Sequence, residues 1–267
     1  MRFAVITMTR PAAPRKWRAP QLRAGADARQ AAASILDAAL AQVRSNAPGA
    51  LESADPEYLH QLRVGLRRYR SALRVFRKLL RKGPRRQLAS AARAAMRPLG
   101  QARDWDVLVA GLERIKAPRV LVQRARTRRS AAHELLRPID TGGLEPGPAA
   151  WKKKNESLER FAARVLPRLR RKTLQRAHGL DWTDAGQRHR LRIHVKRLRY
   201  AADFLGGRTQ ALEALQETLG ELNDLAVARR LLRDLRPPQS VARRLAAGER
   251  RLVALARRQV AALEAED

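Results

Sequence analysis

The stretch from His60 to Phe76, HQLRVGLRRYRSALRVF, returns without a gap as HRLRIHVKRLRYAADFL from His189 to Leu205. A second matched pair follows each copy in the same order, LGQARDWDV from Leu99 and LGELNDLAV from Leu219, which sets Asp104 opposite Asp224. Internal repetition limits the fold more than composition can, because each half must then be one copy of the same supersecondary unit.

That unit is helical. Ala, Leu and Arg dominate, aromatic residues are 4% of the 267, and β-branched residues are sparse, which is a composition of high helix propensity. Between the prolines and glycines the predicted helices lie at 27–46, 56–81, 85–115 and 118–137. Asp27 and Asp55 are predicted N-caps, Pro56 fits a first helical position, and Pro98 is expected to kink the third helix. RPIDTGGLEPGPAA, residues 137–150, is the strongest linker signal in the chain. Beyond it, helices are predicted at 151–178, kinked or broken near Pro167, and at 183–206, 208–235 and 238–264. The expected fold is all-α: a four-helix bundle over about 27–137, a linker over 138–150 and a second bundle over about 151–264. Residues 1–22 read as a basic, proline-containing tail, for which disorder is one reading.

On a wheel turning about 100° per residue, His60, Arg63, Arg67, Arg70, Arg74, Lys78 and Arg81 fall within an arc of roughly 80°. Leu59, Leu62, Leu66, Tyr69, Leu73 and Phe76 occupy the adjoining arc, as a core seam requires. In the second copy His189, Arg192, Lys196 and Arg199 make the stripe, while Leu191, Val195, Leu198 and Leu205 make the seam. Asp203 stands where the first copy has Arg74 and shortens that stripe.

Like charges at i,i+3 and i,i+4 each destabilise a helix by roughly 0.2–0.5 kcal/mol. From Tyr58 to Arg103 the chain carries 14 Lys and Arg residues and no acid, so nothing local offsets that repulsion. Over the whole chain 57 basic residues against 25 acidic ones give a formal charge of +32, which favours a polyanionic partner. Arginine suits phosphate in particular, because its planar fork makes paired, charge-assisted hydrogen bonds. The absence of cysteine removes disulfides, thiolate nucleophiles and thiolate metal sites. No stretch reaches the length of a membrane span, and the apolar run from Phe3 to Met8 is too short for a secretory core. A soluble cytoplasmic protein is the expectation.

The pattern HxxRVxxRRxRSxLRxF with LGxxRDxDV, followed by HxxRIxxKRLRY with LGxLND, resembles the CHAD family, the conserved histidine α-helical domain, over nearly the whole chain from about residue 23. The resemblance implies two four-helix bundles related by a pseudo-two-fold, whose basic helices face each other across a cationic cavity or pore. It also implies inorganic polyphosphate as ligand and association with polyphosphate granules. The positions that carry over are His60, Arg63, Arg67, Arg68, Arg70 and Arg74 in the first copy and His189, Arg192, Lys196, Arg197 and Arg199 in the second, with Lys78 extending the first stripe. Asp203 departs from that pattern and puts its end of the second copy in question as a ligand contact.

Other features read as structural. Asp104 and Asp224 are expected to pair with cations of their own bundle, and Asp106 adds no two-metal cluster to them. His133, His178 and His194 have no equivalents in the other half, and the Lys152–Lys154 run reads as an exposed helix start. No ExExK run of a fused triphosphate-tunnel domain is present, so no hydrolase activity, cofactor or metal is expected. The competing readings are a sequence-independent nucleic-acid binder, for which stacking aromatics are few, and a histidine phosphotransfer bundle, which needs one accessible histidine rather than two in cationic stripes.

Overall fold

The computed structural model describes residues 13–22, 25–153 and 155–265. Eight α-helices follow one another: α1 (Ala28–Glu52), α2 (Pro56–Val75), α3 (Lys82–Arg114), α4 (Arg119–Glu134), α5 (Leu158–Ala177), α6 (Ala185–Leu205), α7 (Gln210–Arg233) and α8 (Gln239–Ala265). Two short 3₁₀ turns, Gly142–Leu144 and Pro148–Ala150, separate the first four from the last four. Among the described residues there is no β-strand, only isolated bridges joining Asp27 to Ser157 and Leu80 to Trp151.

The caps expected from the sequence form. Asp27 makes a reciprocal capping box with Gln30, and Asp55 accepts from the Glu57 N–H with Pro56 at the first helical position. Within each half, consecutive helices pack on one another. Between the halves, like meets like: α1 contacts α5, α2 contacts α6 and α3 contacts α7. α1 and α2 approach closely at Gly65, where a Cβ would stand 3.0 Å from Val43 Cγ2 and 3.2 Å from the Ala39 carbonyl oxygen. The core of the first half also takes in Phe161, Tyr200, Phe204 and Leu232 from the second. Phe76 stacks on Phe161 at 5.3 Å between centroids, so the halves share apolar packing as well as charge.

Several boundaries differ from the sequence reading, each for a tertiary reason. α1 runs through Pro48 to Glu52, its last turn held by Ala50 in the core and by Gly49 against the Tyr58 ring. α2 stops at Val75, not at 81, because Phe76 turns into the inter-half aromatic stack. The chain then pairs with the linker: Lys152 N–H donates to Leu79 O, and Arg81 N–H to Ala150 O. Lys78 therefore lies in a turn and Arg81 caps α3, so neither continues the helical stripe as the wheel had them. Pro167 does not break α5, which begins only at Leu158; Lys152 and Lys153 precede it in extended chain rather than starting a helix, and Lys154 lies outside the described residues.

The linker is packed rather than loose. Leu144 is fully buried and its carbonyl accepts from the Tyr69 hydroxyl. The described part of the tail is packed too. Residues 13–22 have no regular secondary structure, Arg15 exchanging two 3.0 Å hydrogen bonds with Asn46 and Trp17 lying against Phe204. Residues 1–12 lie outside the described residues.

A cationic site between the halves

α2 and α6 carry the two stripes and pack against each other. α6 is started by Asp184, which accepts from Gly186 and Gln187 N–H groups, and is ended by Gly206 in the left-handed conformation. The seams behave as the wheel requires: Leu59, Leu62, Leu66, Tyr69 and Leu73 of α2, and Leu191, Val195 and Leu198 of α6, are buried. The basic residues beside them are lifted off the surface with the seam. His60, Arg63, Arg67, Arg70, Arg192, Lys196 and Arg197 are half-buried, whereas Arg74, Lys78 and His189 are exposed.

At the centre, side chains from both halves act on one another. Burial together with the charges of Arg192, Arg67, Arg63 and Arg199 pushes the Lys196 ammonium down to about 6. Burial and Arg67 lower Arg63 to about 10, against the opposing charges of Asp104 and Asp224. Burial likewise lowers Arg192, with Asp224 opposing and Arg67 adding. His60 falls to about 4 through burial and the charge of Arg103, then of Arg67 and Arg63. His189, its counterpart, places Nδ1 2.9 Å from Asn223 Oδ1. Arg103 and Asn223 occupy matching positions beside Asp104 and Asp224, so both histidines meet the equivalent residue of the third helix in their own half.

The cluster lacks acceptors. Arg63 Nη1, Arg67 Nε, Arg192 Nε and Arg197 Nε are buried with no hydrogen-bond partner among the described residues. A buried donor left unpaired costs on the order of 1–3 kcal/mol, more when charged. The acids nearby are few: Asp104 and Asp224 act on Arg63 and Arg192, and Asp203 and Glu213 pair with Arg68 and Arg199. Asp104 pairs with Arg230 at 3.2 Å, and Arg230 belongs to the other half; the expected pairing within its own bundle is corrected to that extent. Burial raises the Asp104 pKa, opposed by Arg63 and Arg230 and reinforced by Asp224. Asp106 is separate: buried, it accepts from Arg129 Nε at 2.6 Å and lies 2.9 Å from His133 Nε2.

Two of the positions carried over from the family pattern have acid partners inside the chain. Arg68 is buried, ion-paired with Asp203 across the halves, and lies 4.3 Å below the Trp17 ring and 5.2 Å from that of Tyr200. Arg199 is buried too, donating to Gln216 Oε1 at 2.8 Å and Glu213 Oε1 at 3.4 Å. Each has a carboxylate partner, Asp203, the departure from the stripe, being that of Arg68, whose Nε stays buried and unpaired. Arg93 and Arg103 on α3 and Arg77 after α2 bear on stripe residues although no stripe contains them. The signal for Arg103 was its place next to Asp104 in the second repeated motif.

A cleft of 310 Å³ opens beside the cluster, lined by Arg188, His189, Asn223 and Arg230 among others. A larger one, 740 Å³, lies at the α3–α4 turn near Lys116 and Arg119 and contains no stripe residue. No group of His, Asp or Glu suited to a metal ion occurs among the described residues, and none of their helices is long and apolar enough to cross a membrane.

The comparisons agree with this architecture. The crystal structure of the CHAD domain from the plant Ricinus communis is similar with a TM-score of 0.71 and 33% identity, over 94% of this chain and 97% of that one. PptA from Streptomyces chartreusis shares the fold at a TM-score of 0.55 and 18% identity, over 90% of this chain and 97% of its own. No curated protein matches the chain. The CHAD domain profile matches residues 34–233, which contain both His-Arg stripes and both Asp motifs, and the chain belongs to the CHAD domain family.

Proposed function

We propose that the protein binds inorganic polyphosphate, without enzymatic action on it, at the cationic cluster where α2 packs against α6, and that it associates with polyphosphate granules. The reading takes the two halves as related by a pseudo-two-fold axis, which the like-with-like helix contacts support. One observation carries it: Arg63, Arg67 and Arg192, from two halves, converge with Lys196 around buried N–H groups that no protein acceptor reaches. A linear anion with an oxygen pair at every repeat supplies acceptors and charge together.

The ligand-facing set is His60, Arg63, Arg67, Arg70, Arg74, His189, Arg192, Lys196 and Arg197. Arg68 and Arg199 shape the walls through their own carboxylate partners. The test is a titration with polyphosphates of graded length on wild type and on the Arg63/Arg67/Arg192/Lys196→Ala variant, with duplex DNA of equal charge as competitor. Wild type should bind long chains and prefer them to DNA, and the variant should lose at least about tenfold in affinity, since each phosphate contact adds to a steep electrostatic dependence. Unchanged affinity in the variant removes the site; displacement of polyphosphate by equal DNA makes the protein a nucleic-acid binder.

A further inference from the structure

The two copies differ where the stripes leave the centre. Extending the match of Asp104 with Asp224 back along α3 and α7 sets Arg93 opposite Glu213. The α2–α6 match sets Arg68 opposite Arg197, Arg70 opposite Arg199 and Arg74 opposite Asp203. Two ion pairs, Arg68 with Asp203 and Arg199 with Glu213, therefore have counterparts in which the acid is an arginine: Arg197 with Arg74, and Arg70 with Arg93.

Those counterparts bear on one another as like charges. Burial and the charges of Arg74 and Arg77 lower Arg197, which has no acid partner among the described residues, whereas Arg68 has Asp203 although its Nε, like that of Arg197, is buried and unpaired. Burial and the charges of Arg74 and Arg93 lower Arg70. One side of the central cluster thus carries guanidiniums with no acid partner among the described residues. On the other side the matching cations are ion-paired with Asp203 and Glu213, and the Trp17 and Tyr200 rings lie against Arg68.

We propose that bound polyanion runs from the central cluster in one direction only, onto a subsite formed by Arg70, Arg74, Arg77, Arg93 and Arg197, the equivalent exit being sealed by Asp203, Glu213 and Trp17. This rests on the polyphosphate reading and adds a polarity to it. From Arg63 to Arg74 the helix rises about 16 Å, so tripolyphosphate fills the centre alone while a long chain engages both parts.

The experiment compares tripolyphosphate with long-chain polyphosphate at about 0.15 M salt, where screening separates sites more than about 8 Å apart. Arg74→Asp with Arg93→Glu installs the second copy's residues at two exposed positions. Arg124→Asp with Arg128→Glu, exposed on α4, makes the same charge change elsewhere. The first pair should weaken long-chain binding about tenfold or more and tripolyphosphate by less than about twofold, with the α4 control changing neither by more than about twofold. The neutral pair Arg74→Gln with Arg93→Gln should shift binding in the same sense, and thermal melts check that each variant folds. Equal losses for both ligands, or a long-chain loss no greater than the control's, overturns the polarity. If wild type binds neither ligand, this inference falls together with the reading beneath it. If Arg63→Ala with Arg67→Ala abolishes binding while the stripe-end pair matches the control, only the polarity falls.

Discussion

Lys196 sets a measurable proton balance. Its ammonium is surrounded by Arg192, Arg67, Arg63 and Arg199, and burial with those charges brings it down to about 6. At pH 7 roughly one molecule in ten then carries the charge in the free protein. A polyphosphate laid across the cluster cancels the repulsion that kept the amine neutral, so binding should draw in roughly 0.9 proton per site at pH 7. The interior phosphates of a long chain are strong acids and stay ionised, which leaves the proton attributable to the protein. Affinity should fall by up to about tenfold per pH unit above 6 until the bound-state pKa is passed. At pH 6 about half the amines are already charged and below it most are, so the uptake should fade as pH falls. Calorimetric titration at pH 7 in two buffers of different ionisation enthalpy reads the uptake directly. Lys196→Arg, permanently charged, should lose most of that uptake, any remainder belonging to His60, which burial and nearby arginines hold down. Binding by wild type with no proton uptake, or an uptake undiminished in Lys196→Arg, refutes the reasoning. The same shift has a folding consequence. The unfolded lysine holds its proton up to about pH 10.5 and the folded one only to about 6, so stability of the empty protein rises with pH through that window.

Other consequences are simpler to check. Gly49→Ala gains about 1 kcal/mol in helix propensity but sets a methyl inside the Tyr58 ring, an overpacking that costs about 1–3 kcal/mol, so denaturant melts should show a net loss. Asp106→Asn should destabilise by about 1–3 kcal/mol, since Arg129 and His133 lose their carboxylate but keep some solvent. Burial opposes ionisation of Asp106, yet His133 and Arg129 hold its pKa below the ordinary value, so its contribution is complete above about pH 4 and disappears as pH falls through the lowered folded value. Trp17→Ala should cost about 2–3 kcal/mol, less than for a fully buried tryptophan, and an unchanged urea midpoint would show that the tail holds nothing.

The repeated helices, their caps and their seams were legible because they depend on local periodicity. Asp55, Pro56 and the Leu59–Leu73 seam act within α2, and any chain with that pattern would form the same helix. What failed was the end of that helix. Nothing between Arg74 and Arg81 is a helix breaker, and the wheel continued to Lys78; the stop comes from Phe76 stacking on Phe161 and from Leu80 bridging to Trp151, residues far along the chain. The reverse error occurred at Pro48, a strong local signal overridden by the burial of Ala50. The Pro- and Gly-rich segment lies between α4 and α5, and its packing through Leu144 depends on the Tyr69 hydroxyl and could not be seen in its own composition.

The site divides in the same way. Similarity between the copies pointed to the proposed centre, because a residue that serves the same role twice appears at matching positions. The direction of the site resides in the mismatches, and a wheel drawn for one helix assigns these no meaning. Asp203 looked like a gap in the second stripe; in three dimensions it is the partner of Arg68, a first-copy residue that the wheel had placed off the arc. Once that pair is known, the question moves to its counterpart by alignment, Arg197 with Arg74, where the charge of Arg74 bears on Arg197 and neither has an ion pair among the described residues. A duplicated fold would tolerate an ion pair at both places. That it keeps one and replaces the other by repulsion is what a structural role cannot explain and an anion entering from one side can.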